Sequence, residues 1–186
     1  MTKVLYSDTH HTISTHHMKI SFKYITQVLL FGLIYYFTSM VSLWFETKQG
    51  ASPFSPIAGM AAALIFLAGY RYWLAILIGT TAVALSWSTP LPIFITNSAA
   101  QIGEALIFVY VLRRFNNFSG NFSRVKDVSE FLAAIIPAVL FSGLMGLVGF
   151  IISGTALDMR VALSLLVLML GNFTGIITIS WNKRDT

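Results

Sequence analysis

Six long apolar runs dominate this chain and leave it few ways to fold. A helix rises about 1.5 Å per residue, so about 20 residues cross a hydrocarbon core of about 30 Å, and the second run is barely long enough. Strands would have to close into a barrel, and the runs lack the alternation of polar and apolar residues that a barrel needs. We therefore predict an all-α integral membrane protein, a bundle of about six transmembrane helices. The predicted spans are 25–44, 53–69, 72–89, 93–112, 131–152 and 161–180.

The scarcity of charged residues supports the same interpretation. The chain is 56% hydrophobic and 10% charged, whereas soluble domains average about 25% charged residues. A water-exposed surface cannot be built from so few charges, which excludes a soluble globular domain. The sequence contains no cysteine, which excludes disulfides, thiolate metal sites and cysteine nucleophiles.

The basic residues predict how the chain is oriented. With six spans, all of the 12 lysines and arginines except Lys48 and Arg160 fall into segments on one side of the membrane. The positive-inside rule makes that side cytoplasmic, so both termini are predicted to be cytoplasmic. We interpret the net charge of +5 as this orientation signal and expect no nucleic-acid partner. The predicted organisation is a polar cytoplasmic tail over 1–23, a transmembrane domain over 24–181 and a cytoplasmic tail over 182–186, in a multi-pass membrane protein.

Glu104 is the one ionisable residue deep within a predicted span. It lies eight residues from the inner end of the fourth span, about 12 Å along a helix and near the bilayer midplane. Asn97, Gln101 and Glu104 follow i, i+4, i+7 spacing, which predicts that all three share one helical face pointing into the bundle. We interpret this face either as a polar sensing site, including a proton-responsive one, or as a polar clamp between helices.

Asn172 in the sixth span is the predicted partner of Glu104. It also lies eight residues from the inner end of its span, and both spans run from outside to inside. The two side chains therefore share one depth, which predicts a direct or water-bridged contact. Asn97, Gln101, Glu104 and Asn172 are the candidate ligand- or signal-sensing residues of the chain.

Small residues mark the predicted packing faces. Gly171 and Gly175 form a GxxxG element, and Gly143, Gly146 and Gly149 form a glycine stripe with steps of three. Such spacings allow two helix backbones to approach closely. We interpret them as packing within one chain rather than as a dimerisation face.

No motif in the sequence predicts catalysis, a cofactor or a metal. Gly-rich phosphate loops and zinc-binding spacings are missing, and all four histidines precede residue 18, so no hydrolase triad or helical phospho-acceptor can be assembled. The pairs His10–His11 and His16–His17 have no i, i+3 or i, i+4 partners across the pairs, and we interpret them as part of a solvated tail. An intramembrane enzyme would need paired carboxylates, a metal set or a Ser/Lys dyad at one depth, and Glu104 stands alone.

Three short motifs follow one another in the second and third spans. Residues 54–59 read Phe-Ser-Pro-Ile-Ala-Gly, residues 68–73 read Ala-Gly-Tyr-Arg-Tyr-Trp, and residues 77–79 read Leu-Ile-Gly. This order of motifs resembles the bacterial membrane-associated sensor domain family of the MASE type, first class. That family shows an aromatic-x-Pro-x-x-Gly start, a Gly-x-Arg-x-Trp turn and a closing Leu-Gly pair. The residues that match these motifs are Pro56, Gly59, Arg71 and Trp73; further similarities are Asn97 with Glu104, the basic exit at 112–114, 127–128 leading into 131–132, and Gly175.

The resemblance implies an input module for signal perception at the bacterial cytoplasmic (inner) membrane. Such domains precede diguanylate cyclases, phosphodiesterases and sensor kinases, and their members typically have more spans, a cytoplasmic output domain and often an acid at the position of Asn172. We therefore expect a short six-helix form without an output domain that senses an unknown ligand or membrane state and signals through helix repacking. The expected partners are the lipid bilayer and either a separate signalling enzyme or further copies of this chain.

A transport function is the competing interpretation. Six helices, both termini inside and a basic cytoplasmic face also describe the substrate-binding membrane subunits of energy-coupling-factor small-molecule importers. Their Ala-xxx-Ala signature is not found in the first span, which carries Tyr35, Tyr36 and Phe37 instead.

Overall fold

A computed structural model describes residues 22–43, 55–115, 125–155 and 157–181. The predicted tails, apart from 22–23, lie outside the described residues, as do all four histidines. The described part of the chain is helical and contains no strand, which confirms the predicted all-α class. Its helices are α1 (Phe22–Leu43), α2 (Pro56–Ala68), α3 (Trp73–Ser86), α4 (Leu91–Arg114), α5 (Val125–Ile152) and α6 (Met159–Trp181), with one 3₁₀ turn at Tyr70–Tyr72.

Four of these helices are long and apolar enough to cross a membrane: α1, α4, α5 and α6. The helices α2 and α3 have 13 and 14 residues, about 20 Å at 1.5 Å per residue, and are shorter than the runs predicted for them. Pro56 occupies the first turn of α2, and Gly69 ends the helix with a φ of +99°, a conformation that glycine adopts freely. Beyond α3, Ser88 has a φ of +52° and Pro90 precedes α4, so the predicted third span ends early.

The fifth helix begins earlier than the predicted span. It starts at Val125 rather than at residue 131, so the segment 113–130 between the fourth and fifth predicted spans is helical at both of its ends. Asp127 lies in the first turn of α5, where a negative charge complements the helix dipole. Lys126 and Glu130 form an i, i+4 ion pair at 3.6 Å, which adds modestly to the stability of the helix start.

The six described helices pack side by side in a closed ring, and α2 and α4 also contact each other across it. Neighbours around the bundle are α1 and α3, α3 and α4, α4 and α5, α5 and α6, α6 and α2, and α2 and α1, while α2 also packs against α4. Small side chains fill these contacts, since the fully buried core includes Ala58, Ala61, Ala62, Ala75, Ala105, Ala134 and Ala138. Without a hydrophobic driving force between helices in lipid, close approach of small residues is what holds such a bundle together.

The glycine motifs lie against other parts of the same chain. A Cβ on Gly143 would meet Met169 of α6, and one on Gly149 would meet Thr96 of α4. The backbone N–H of Ser55 donates to the carbonyl of Gly171 at 3.1 Å, and a Cβ on Gly175 would collide with the carbonyl of Ser55. The predicted packing within one chain is therefore observed at these positions, and Gly175 is required by the close approach of the chain entering α2.

One end of the bundle collects basic residues. The Tyr24 hydroxyl on α1 donates to the backbone carbonyl of Arg71 at 2.7 Å, and Arg113 at the end of α4 donates to the carbonyl of Phe66 at 3.2 Å. These contacts bring the start of α1 and the ends of α2 and α4 together. Among described residues, this end carries Lys23, Arg71, Arg113, Arg114 and Lys126, and the opposite end carries Arg160.

Candidate functional site

Glu104 and Asn172 are in direct contact at the centre of a buried polar cluster. Each is 1% exposed, and the Asn172 amide nitrogen Nδ2 donates to Glu104 Oε2 at 2.6 Å. The same nitrogen donates to Ser142 Oγ on α5 at 3.1 Å. The cluster therefore joins α4, α5 and α6, and the predicted contact between two residues at one depth is confirmed. We refer to Glu104, Asn172 and Ser142 as the polar triad.

Two oxygens of the polar triad have no hydrogen-bond partner. They are Glu104 Oε1 and Asn172 Oδ1, both shielded from solvent. The Ser142 hydroxyl donates to the Val139 carbonyl within its own helix at 3.1 Å. Buried polar atoms are normally paired, because an unpaired one costs about 1–3 kcal/mol. The two unpaired oxygens are both acceptors, so the triad lacks donors rather than acceptors.

The second helix begins beside the polar triad. Ser55 precedes α2, and its backbone N–H donates a hydrogen bond to the carbonyl of Gly171, the neighbour of Asn172 on α6. The N-terminus of α2 therefore lies at the depth of Glu104, inside the bundle rather than at its end. A helix that starts within the membrane is tolerated where its backbone is buried against protein, and Ser55 is buried here.

Gln101 belongs to a second polar contact on the same face of α4. It is 9% exposed, and its Oε1 accepts a hydrogen bond from the Tyr35 hydroxyl of α1 at 3.2 Å. One turn earlier, Ser98 donates to Thr80 of α3 at 3.1 Å. The buried face of α4 thus reaches polar partners on four other helices when these contacts are added to the polar triad.

The prediction that Asn97 points into the bundle is wrong. Its side chain is exposed, whereas Gln101 and Glu104 are buried. The helix spacing of the three residues was read correctly, but burial also needs a neighbour at the same height. Because α2 starts at the depth of Glu104, it does not extend along α4 as far as Asn97.

Sequence reasoning missed Tyr35, Thr80 and Ser142. Tyr35 and Ser142 are each 1% exposed, so both side chains lie in the interior of the bundle. Hydroxyl side chains in the middle of an apolar run carry a usable signal, because a polar atom in the hydrocarbon region needs a partner. Applied to the first, third and fifth spans, that signal would have pointed to these residues.

The four residues that match the sensor-domain motifs lie in two parts of the structure. Pro56 occupies the first turn of α2 beside Gly175, and Gly59 is buried within the same helix. Arg71 is exposed in the 3₁₀ turn, and Trp73, 39% exposed, begins α3. Arg71 and Trp73 therefore lie at the basic end of the bundle, apart from the polar triad, whereas Pro56 helps to set where α2 begins next to it.

No cluster of three or more His, Cys, Asp or Glu side chains occurs within the described ranges. Comparisons of the chain with protein-family models, with curated proteins and with solved structures return no match. The likeness to membrane-associated sensor domains therefore rests on the motifs quoted above. The function has to be argued from the polar triad and its surroundings.

Proposed function

We propose that this chain is a non-catalytic sensory input module of the bacterial inner membrane. The polar triad is its stimulus-responsive element, with Gln101 beside it. The observation that carries this proposal is the burial of Glu104 between α5 and α6, where it bonds to Asn172 within the apolar interior of the bundle. Ionisable residues within membrane segments are costly to keep and mark functional positions by default.

Helix adhesion alone is a weak reason for a carboxyl group at this position. Interhelical hydrogen bonds in membranes contribute about 0.6 kcal/mol on average, which an uncharged side chain supplies equally well. A carboxyl group adds the ability to change charge or to bind a ligand. A stimulus that prefers one state of the triad shifts the packing of α4, α5 and α6 toward that state.

The basic end of the bundle is the proposed output surface. Arg113 lies nine residues after Glu104 on α4, about 13 Å along the helix. Its guanidinium bonds to the carbonyl of Phe66 and stacks 4.8 Å from the ring centroid of Tyr70. A shift of α4 at Glu104 therefore moves the contact between α4 and the turn that follows α2.

We propose six spans with both termini and the basic end in the cytoplasm, in line with the positive-inside rule. In this topology α2 and α3 are the second and third spans, with 13 and 14 helical residues. The partner is either a separate signalling enzyme or a second copy of the chain. Its contact surface includes the connection 113–130, of which 116–124 lie outside the described residues.

Co-purification tests the proposed function. The chain is tagged at the carboxyl terminus and extracted from native membranes in mild detergent, and proteins present in stoichiometric amount are identified. A kinase, cyclase or response protein is the expected result, and its yield should fall in Arg113→Ala but not in Arg160→Ala, a matched arginine at the opposite end.

Recovery of an ATPase together with a transmembrane coupling subunit would contradict the sensory function. The chain would then be the substrate-binding subunit of an importer of the energy-coupling-factor type. Gln101, Glu104 and Asn172 would in that case line the substrate pocket.

A further inference from the structure

The polar triad is short of hydrogen-bond donors. The Asn172 amide donates both of its hydrogens, one to Glu104 Oε2 and one to Ser142 Oγ. The single hydroxyl hydrogen of Ser142 goes to the Val139 carbonyl. Glu104 Oε1 and Asn172 Oδ1 remain as buried acceptors without a donor. Even if the Ser142 hydroxyl turned to Glu104, Asn172 Oδ1 would still lack a partner.

From this inventory we infer that the Glu104–Asn172 pair is a proton-binding site, with the proton on Glu104 Oε1 shared with Asn172 Oδ1. A carboxylic acid and a primary amide pair through two parallel hydrogen bonds, N–H to the acid carbonyl and O–H to the amide carbonyl. The first of these exists at 2.6 Å. A single proton supplies the second, neutralises the carboxylate and gives both unpaired acceptors a partner.

The surroundings favour a proton over a metal cation. Bound calcium and magnesium ions take six or more oxygen ligands at about 2.0–2.6 Å, whereas the triad leaves two oxygens unpaired. Ser142 Oγ and Glu104 Oε2 are already occupied by the Asn172 amide. Among the described residues, no group of three or more His, Cys, Asp or Glu side chains could hold a metal ion with Glu104.

No charged group in the described helices offsets a negative charge at this depth. On α1, Lys23 lies twelve positions from Tyr35; on α5, Glu130 lies twelve positions from Ser142. On α6, Arg160 lies twelve positions from Asn172. Twelve positions correspond to about 18 Å along a helix. The helices α2 and α3 contain no charged residue, and on α4 the first is Arg113. Tyr35 of α1 is the titratable group that faces this region, and its hydroxyl is bonded to Gln101.

Loss of the proton would leave a carboxylate with one unpaired oxygen between α4 and α6. Such a buried charge disfavours the packing that encloses it. The proton is therefore the ligand that the closed arrangement of α4, α5 and α6 prefers. That this proton is also the stimulus rests on the proposed sensory function, whereas its binding does not.

Infrared spectroscopy on the purified full-length chain tests the proton directly. The sequence has three glutamates, Glu46, Glu104 and Glu130. A Glu46→Gln/Glu130→Gln variant, labelled with ¹³C-glutamate, keeps Glu104 as its one glutamate, so a labelled band of a protonated acid can come from no other residue. This band is expected at neutral pH, and it should disappear reversibly as the pH is raised, with no difference between sodium and potassium buffers.

Two results would overturn the inference. One is a labelled signal that is wholly carboxylate at neutral pH. The other is loss of the protonated band at constant pH when sodium replaces potassium, which would make the site a sodium site. Both outcomes are independent of which signalling partner or transporter subunit co-purifies, so failure of the proton site and failure of the proposed function can be told apart.

Thermal unfolding gives a second readout. Glu104→Gln places an amide where the inferred acid stands and supplies the missing donor without a titratable proton, so its melting temperature should change less with pH than that of the wild type. The wild type should lose stability as the pH rises, because its folded state holds the proton. Asn97→Leu, which changes an exposed side chain outside the polar triad, should keep the pH dependence of the wild type. A wild type whose melting temperature is flat with pH would contradict the proton site.

Discussion

Asn172 on α6 donates a 2.6 Å hydrogen bond to Glu104 on α4, a residue 68 positions earlier in the chain. This bond connects two helices that do not follow each other in sequence, and Ser142 of α5 extends it to a third helix. The pair therefore couples the packing of α4, α5 and α6 at a single point.

A double-mutant cycle at Glu104 and Asn172 should reveal that coupling. Asn172→Ala alone strips Glu104 of its donor and should cost about 1–3 kcal/mol of unfolding free energy. In the Glu104→Ala background the same change should cost less, with a coupling energy of about 0.6–1.7 kcal/mol. Equilibrium unfolding in detergent measures all four variants, and independent effects would contradict the contact.

Gly175 should tolerate no side chain. A Cβ there meets the backbone carbonyl of Ser55, which cannot move aside without displacing the start of α2. Gly175→Ala should therefore lower stability by about 1–3 kcal/mol. Gly146→Ala is the matched control, since its Cβ would meet the flexible side chains of Leu165 and Leu168, and its melting temperature should stay close to that of the wild type.

Gln101 should matter for stability where Asn97 does not. Gln101→Leu removes the acceptor of the buried Tyr35 hydroxyl and should cost about 1–3 kcal/mol. Asn97→Leu changes an exposed side chain and should stay within about 0.5 kcal/mol of the wild type. Adding Tyr35→Phe should restore part of the stability of Gln101→Leu, because no buried hydroxyl is then left unpaired. Equal melting temperatures for the two single variants would contradict this assignment.

Single cysteines can test the orientation directly, since the wild-type sequence has none. Arg71 and Arg160 are both exposed and lie at opposite ends of the bundle. In intact cells, a membrane-impermeant maleimide should label Arg160→Cys. Arg71→Cys should react only after the membrane is permeabilised, because the basic end is proposed to face the cytoplasm. Labelling of Arg71→Cys in intact cells would reverse the proposed topology.

Much of the site could be read from spacing and depth. The positions of Glu104 and Asn172 relative to the inner ends of their spans predicted the contact that the structure contains. Asn97 and Gln101 satisfied the same helical spacing, yet one is exposed and the other buried. Spacing defines a face of one helix, and burial depends on which other helix covers that face at each height.

The sequence by itself determined the helical class, the four long apolar helices and the grouping of basic residues, because hydropathy and charge act on each segment locally. Only the tertiary structure decided where α2 begins, since that depends on Ser55 docking against Gly171 and Gly175. It also decided that Ser142 and Tyr35 join the interior. These contacts bring together residues far apart in the chain, and their energy depends on backbone approach and on the pairing of buried polar atoms, which no single segment contains.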